Sequence, residues 1–462
     1  MSQGETSVGA SGLLKAGLRK TRNLGSGQIA RASAISLFIK VTGLGFSFAQ
    51  AVLTARLLGA QGYGVVAVTI SAVQVIATLC AFGFGPLAVR EIPARIAAGE
   101  GERLYGFIRG AFIAVVALSV AGGAALAVVA GVTELVRPAY RTTFEIAGLM
   151  VAPLAVIALL RGIAQGFGQI PMAQIPGELL QPVAIVIALG AVAVLGLSFG
   201  PAEFVWLATG AAIFAALAGG IWLWRSERSR LLAGQRADKA RASFSAAFPF
   251  VALVLAGMLQ GEMNTLLLGW LGSSQQAGVF QPIVRIASVI TLPGQAAGMR
   301  FGPRIAEHWK LGETDRIRWV TRTFTWTTSL LTLAVALAIA AAGPWLMRLF
   351  GRDFVESAPL LWVIAAAQVF NAACGPVGYL LTMSDRSGWA LAGQAAGLAA
   401  NAVFGIVLIP IYGAWGAVLG MAAGIAVWNL SMMAMVRVHY RFNPSVVGAI
   451  VRVPRKELNG PI

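Results

Sequence analysis

Twelve stretches of 23 to 27 residues in this chain are apolar almost without interruption, at roughly 34–56, 63–87, 107–131, 144–168, 171–196, 202–224, 247–270, 277–300, 320–342, 356–382, 388–410 and 413–436. A helix needs about 20 such residues to cross the ~30 Å hydrocarbon core of a bilayer. Inside that core the backbone must satisfy its own hydrogen bonds, so each stretch reads as a helix. The pattern predicts an all-α polytopic membrane protein of about twelve spans. Composition agrees, because 58% of the 462 residues are hydrophobic and only 11% are charged, against about 25% charged in a soluble domain.

The spans fall into two similar sets of six. A short Gly-rich connection, RLLGAQGYG from Arg56 to Gly64, leads into span 2 and then into the polar segment PARIAAGEGERLYGFIRGAF. Further on, WLGSSQQAGVF from Trp270 to Phe280 leads through span 8 into PRIAEHWKLGETDRIRWVTRTF. Pro93 lines up with Pro303, Arg103 with Arg316, Arg109 with Arg322 and Phe112 with Phe324, at offsets of 210, 213, 213 and 212. A period near half the chain is too long for a solenoid and indicates duplication into two lobes. The expected units are a basic tail (1–33), a first lobe (34–224), a basic linker (225–246), a second lobe (247–436) and a basic tail (437–462).

Charge sets the expected orientation. With the N-terminus in the cytoplasm, 27 of the 35 Lys and Arg residues fall on the cytoplasmic side, as the positive-inside rule requires. Both tails are then cytoplasmic. The net charge of +17 reads as topology and as attraction to anionic lipid headgroups rather than as a nucleic-acid surface. The start of the chain, with Lys15, Arg19, Lys20, Arg22 and Arg31 but no apolar core, does not resemble a cleaved signal peptide. The longest external loops, near 131–143 and 343–355, have about a dozen residues, too few for an external catalytic domain. Cys80 and Cys374 lie in spans, and His308 and His439 lie in cytoplasmic segments without metal-ligand spacing. No nucleotide-binding loop is present, so the reading is a non-enzyme without metal or cofactor.

Ionisable side chains within spans cost roughly 2.5–3.5 kcal/mol each on insertion scales and need a partner or a watery cavity. Away from the span ends five occur: Lys40, Arg161, Glu178, Glu262 and Arg285. At 1.5 Å per residue, Arg161 and Glu178 sit about 10 Å from the cytoplasmic boundary, and Glu262 and Arg285 about 12 Å from the outer one. Each pair joins neighbouring helices and reads either as a structural ion pair or as part of a polar lumen. Lys40, about 9 Å into span 1, either snorkels to the surface or joins Arg161 and Arg285 in a central cavity. Arg56 adds charge at the outer end of span 1. A net positive cavity suits a phosphorylated substrate, since a guanidinium matches phosphate oxygens, and it repels organic cations. Glu178 and Glu262 are the candidate carboxylates for proton-coupled gating. Gln50, Gln74, Gln165, Gln260, Asn264, Gln281, Gln295, Gln368, Asn371, Gln394 and Asn401 read either as interhelical hydrogen bonds or as contacts to sugar hydroxyls. Glycines at four-residue spacing, Gly416, Gly420 and Gly424 in span 12 and Gly294 and Gly298 in span 8, point to close helix packing. Pro153, Pro293 and Pro376 permit bends.

Several segments carry a family likeness: RLLGAQGYG, FGFGPLAVREIPARIA, GPRIAEHWKLGETDRI, LFGRDFVESAPLLWVIA and IPIYGAWGAVLG. In order and spacing, from about residue 30 to 440, they resemble the polysaccharide-transporter (Wzx-type oligosaccharide flippase) family of the multidrug/oligosaccharidyl-lipid/polysaccharide exporter superfamily. The resemblance implies two six-helix lobes in a MATE-like V around a central cavity. It implies a flippase that turns an undecaprenyl-diphosphate-linked oligosaccharide from the cytoplasmic to the periplasmic leaflet of a bacterial inner membrane, for O-antigen or exopolysaccharide assembly. A polysaccharide polymerase or export machinery is the implied partner, and Lys40 and Arg285 sit where the family's cavity cations are expected. Three alternatives stand beside this reading: a lipid II flippase, a multidrug cation exporter of the same superfamily, and a non-transporting scaffold for a polysaccharide synthase.

Overall fold

The computed structural model describes residues 8–132, 136–233, 244–384 and 386–450. The first residues of the basic tail, the middle of the linker at 225–246 and the end of the tail from 437 lie outside them. All regular elements among the described residues are helical. In order they are α1 (Val8–Cys80), α2 (Phe84–Ala97), α3 (Gly101–Val132), α4 (Pro138–Gly166), α5 (Ile170–Gln174), a π-helical turn (Ile175–Leu180), α6 (Gln181–Leu195) and α7 (Pro201–Ala233). The second half contributes α8 (Phe244–Leu271), α9 (Ser274–Ile290), α10 (Leu292–Lys310), α11 (Thr314–Phe350), a 3-10 turn (Arg352–Ser357), α12 (Leu360–Ala373), α13 (Val377–Met383), α14 (Ser387–Tyr412), α15 (Ala414–Tyr440) and α16 (Val446–Ile450). The linker expected from residue 225 therefore begins as a continuation of α7.

Ten helical stretches of the described residues are long and apolar enough to cross a membrane, and α12 with α13, bent by 42° at their junction, makes an eleventh. The first stretch, Ile35–Ala97, has 63 residues and would measure about 95 Å if straight, three hydrocarbon cores. Gly59 divides it. Its φ of 65° with ψ of −179° is open only to glycine, and with this break the spans among the described residues number twelve. Large apolar side chains such as Val194, Trp345 and Phe38 are over 70% exposed, as lipid-facing side chains would be.

The duplication is visible in the hydrogen bonding. Gly99 and Gly312 both have φ of 70°. Around Gly99, Glu100 N–H donates to the Arg95 carbonyl and Leu104 N–H to that of Glu100; around Gly312, Glu313 N–H donates to His308 and Ile317 N–H to Glu313, each 213 residues on. The Arg103–Glu100 ion pair (2.7 Å) recurs as Arg316–Glu313 (3.5 Å). In this register the counterpart of Pro93 is Ala306, so Pro303 sits about one turn away from the position its alignment with Pro93 suggests.

Each lobe has its own core. Phe84, Leu87, Phe107, Leu159 and Ile163 centre the first, and Ile305, Ile317, Leu380, Met432 and Val436 centre part of the second. In α14 and α15, Gly397, Gly420 and Gly424 bring the two backbones into contact, as the four-residue spacing in span 12 predicts. In span 8 the spacing means something else: Gly294 faces open space, and Gly298 makes room for the Tyr379 ring. Pro153 lies inside an unbroken α4, whereas Pro376 marks the break between α12 and α13.

Candidate functional site

The lobes meet along a seam made mainly by α1 and α2 on one side and α8, α9 and α11 on the other. At the end bearing the Gly-rich connections, called here the turn end, the seam is tightly closed. The duplicated connections themselves touch: a methyl group on Gly64 would overlap the Ser274 carbonyl and stand 2.7 Å from the Gly278 nitrogen. A methyl on Gly278 would in turn overlap the Ala60 carbonyl. Phe48 and Tyr63 stack edge-on against Phe350 and Phe354, and a third apolar core joins both lobes here. Two arginines act as clamps. Arg137 donates to the carbonyls of Gly272 (2.6 Å) and Trp270 (2.7 Å). Arg56 Nε donates to Leu349 O at 2.6 Å, where the carbonyl end of α11 favours a cation. Arg56 is thus a seam residue at the turn end, and Arg137 was not singled out from the sequence.

Within the first lobe lies a charged pair. Arg161 of α4 meets Glu178 of the π-helical turn at 3.2 Å, one of the pairings expected from the sequence. The π turn forms at IPGELL, where Pro176 has no N–H for the α-helical ladder and the helix widens. Gly177 leaves space for the guanidinium, whose terminal nitrogen lies 3.5 Å from where a Cβ would be. The pair does not exhaust the arginine: its Nε is buried without a partner among the described residues, and its side chain is 42% exposed.

Lys40 belongs to the same neighbourhood. Gln174 donates to Ser36 at 2.7 Å, and Gly43 abuts the Glu178 backbone. Positions 36, 40 and 43 share one helix face. Lys40 is exposed and has no ion-pair partner among the described residues.

The second expected pair does not form. Glu262 of α8 accepts a 2.5 Å hydrogen bond from Ser71 of α1 across the seam, because helix rotation turns it toward the first lobe. Arg285 is left exposed. It lines a cavity of ≈ 250 Å³ together with Val41, Leu44, Gly45 and Phe48 of α1 and Val289 of α9. Of the five charges set deep in spans three are cations and two are carboxylates, and both carboxylates are engaged.

One residue beyond Val289, at Ile290 and Thr291, begins a larger cavity of ≈ 810 Å³ enclosed by α8 to α15 of the second lobe. Of the amides read from the sequence, Gln260, Gln295, Gln368, Asn371, Gln394 and Asn401 line it. Gln281 is instead bonded to Thr265 (2.9 Å), and Asn264 is buried beside Gly405. Asn429, Thr328, Thr332, Tyr379 and Trp428 also line the cavity. The first of these is a mid-span amide like the others and carried the same signal. No charged side chain lines the cavity among the described residues. The α12–α13 break at Gly375 and Pro376 forms part of the wall, a place where irregular backbone is tolerated inside a membrane protein.

A family profile described as "Polysaccharide biosynthesis protein" matches residues 29–299, well over half the chain. The chain belongs to this family. Among curated proteins, none matches it. The solved structures it resembles share the fold at low identity. An inward-facing multidrug resistance MATE transporter of the MOP superfamily has a TM-score of 0.64 and 15% identity, covering 89% of this chain and 97% of the other. The lipid II flippase MurJ, in an inward closed conformation, gives 0.66 and 12%, covering 88% and 87%. A MOP superfamily transporter from Pyrococcus furiosus with a binding pocket of reverse polarity gives 0.54 and 13%, covering 88% and 94%. This member of the polysaccharide biosynthesis family is therefore a multi-pass membrane protein with a MATE-like arrangement of helices.

Proposed function

We propose that the chain flips a polyprenyl-diphosphate-linked oligosaccharide, undecaprenyl-linked in a bacterial inner membrane, from the cytoplasmic to the periplasmic leaflet for O-antigen or exopolysaccharide assembly. The observation that carries this reading is the pair of exposed cations, Lys40 and Arg285, set in spans and left without carboxylate partners among the described residues. A diphosphate is the ligand such a site suits, because charge-assisted hydrogen bonds to phosphate oxygens are strong and Arg presents them as a planar fork. The polyprenyl tail stays in lipid while the charged headgroup passes through the seam, so no charge crosses hydrocarbon.

In this reading the basic end is cytoplasmic, as the Lys and Arg distribution supports, and substrate enters there while the turn end is shut. Rocking of the lobes about the seam then opens the Gly64–Gly278 contact and closes the basic end. A multidrug cation exporter is less well supported, since Glu178 and Glu262 are already engaged by Arg161 and Ser71. Glu262 remains the better candidate for coupling to protons, because its hydrogen bond crosses from one lobe to the other.

The test is flipping in proteoliposomes, scored by protection of the glycan from an external modifying enzyme. Wild type should flip, and Lys40→Ala combined with Arg285→Ala should not, while remaining monodisperse. Flipping unchanged in the double variant would remove the cationic-seam reading.

A further inference from the structure

The two cavities differ in chemistry and adjoin along one helix. Arg285 and Val289 face the cationic seam, and Ile290 and Thr291 face the large cavity of the second lobe. From Arg285 to Thr291 the rise along the chain is about 9 Å, comparable with the reach from a diphosphate to the sugars attached to it. At ≈ 810 Å³ the second cavity lies within the size range of small-molecule sites. Its mouth is open near α8 and α10, where a Cβ on Gly261 or Gly294 would meet nothing within 4 Å.

Its walls carry neutral hydrogen-bonding groups and aromatic faces. Asn429 donates to Asn371 (2.9 Å), which donates to Gln368 (3.3 Å), forming an amide ladder along the wall. An amide offers two donors and two acceptor sites, so a ladder that uses one link per neighbour keeps capacity for a ligand. Asn401 is 5% exposed, and its Oδ1 is buried with no hydrogen-bond partner among the described residues. That oxygen lies against Gly420 of α15, 3.2 Å from where a Cβ there would be, so it belongs to the α14–α15 packing seam, and the hydrogen-bonding capacity open to a ligand is that of the amide ladder with Gln260, Gln295 and Gln394. Tyr379 and Trp428 add aromatic surface.

We infer that the second-lobe cavity is a binding subsite for the uncharged part of a glycan, with amides meeting sugar hydroxyls while the neighbouring seam holds the diphosphate. This rests on the flippase reading and deepens it. The subsite admits neutral sugars and disfavours uronic acids and amino sugars with free amines, because a charged group would be desolvated without a counter-ion. The two lobes then have separate tasks in recognition: the seam takes the charge and the second lobe takes the glycan.

The test compares two probes on the full-length protein in nanodiscs: undecaprenyl diphosphate, and the same lipid bearing a neutral hexose–N-acetylhexosamine disaccharide. Wild type should bind the glycosylated lipid about tenfold or more tightly than the bare one. Asn371→Leu should abolish that preference without changing affinity for bare lipid, whereas Arg285→Ala should weaken both. Gln394→Leu, on α14 in the same wall, provides an independent second variant should the first fail to fold. Equal binding of both lipids by wild type, or a preference that survives both substitutions, overturns the subsite and leaves the flippase reading standing. Binding of neither lipid by wild type removes the polyprenyl-diphosphate reading and the subsite with it.

Discussion

Substituting Gly64 by alanine puts a methyl group where the partner backbone already is. The nearest atoms are the Ser274 carbonyl and the Gly278 nitrogen, the latter 2.7 Å from the new Cβ. Both are backbone, so no rotamer change relieves the overlap, and the lobes must part by about 1 Å or more at the turn end. Overpacking of this kind costs roughly 1–3 kcal/mol. The penalty falls only on the state with the turn end closed, so it shifts the two-state balance toward the open state by about 5- to 150-fold. Alanine also favours a helix over glycine by about 1 kcal/mol. That gain is common to both states and cancels in the balance, which separates the conformational effect from thermal stability. Spin labels at Leu195 and Trp345, exposed near the turn ends of α6 and α11, would report the separation by pulsed electron resonance. Cys80 and Cys374 are buried, which directs labelling to the introduced pair. Gly190→Ala is the control, since its Cβ would meet nothing within 4 Å. A distance distribution in Gly64→Ala identical to that of the Gly190→Ala control would refute the account of this contact as the closure point.

Removing the clamp with Arg137→Ala, which frees the Gly272 and Trp270 carbonyls, should speed external labelling of a cysteine placed at Phe48; an unchanged rate would show that the apolar seal suffices. The Arg161–Glu178 pair is partly exposed, so Glu178→Gln should reduce stability by about 1 kcal/mol or less rather than the 3–5 kcal/mol of a fully buried broken pair, as thermal unfolding in detergent would measure. Glu262→Gln retains an acceptor for Ser71 but removes the charge, so it should flatten the pH dependence of flipping while sparing assembly; a pH profile matching wild type would end the coupling role. Asn429→Leu breaks the bond to Asn371 and that to the Ile425 carbonyl (2.8 Å), and should lower the melting temperature in addition to weakening glycan binding.

Local and periodic properties of this protein are legible in the chain itself. Apolar runs of bilayer length determine the class of fold, because the hydrocarbon core tolerates little else. The duplication is equally legible: its hairpins depend on glycines with positive φ at positions 99 and 312, and such turns are encoded by a few adjacent residues. The Arg161–Glu178 contact was readable because a tight connection holds α4 beside α5 and the π turn, at matching depth.

What the tertiary structure alone decided is how each helix is rotated about its axis and which distant helix it faces. Glu262 lies at the depth of Arg285, yet it turns to Ser71, 191 residues away. Arg56 looked like one more lumen cation, and its partner is a carbonyl 293 residues away. The second lobe's amides are scattered from span 7 to span 12, and only packing gathers six of those read from the sequence, with Asn429, around one cavity while leaving Gln281 and Asn264 outside it. Depth in a membrane follows from counting residues. Rotation and partner choice follow from the close packing of small residues such as Gly64 on Gly278 and Gly43 on the π turn, an outcome of surfaces far apart in sequence.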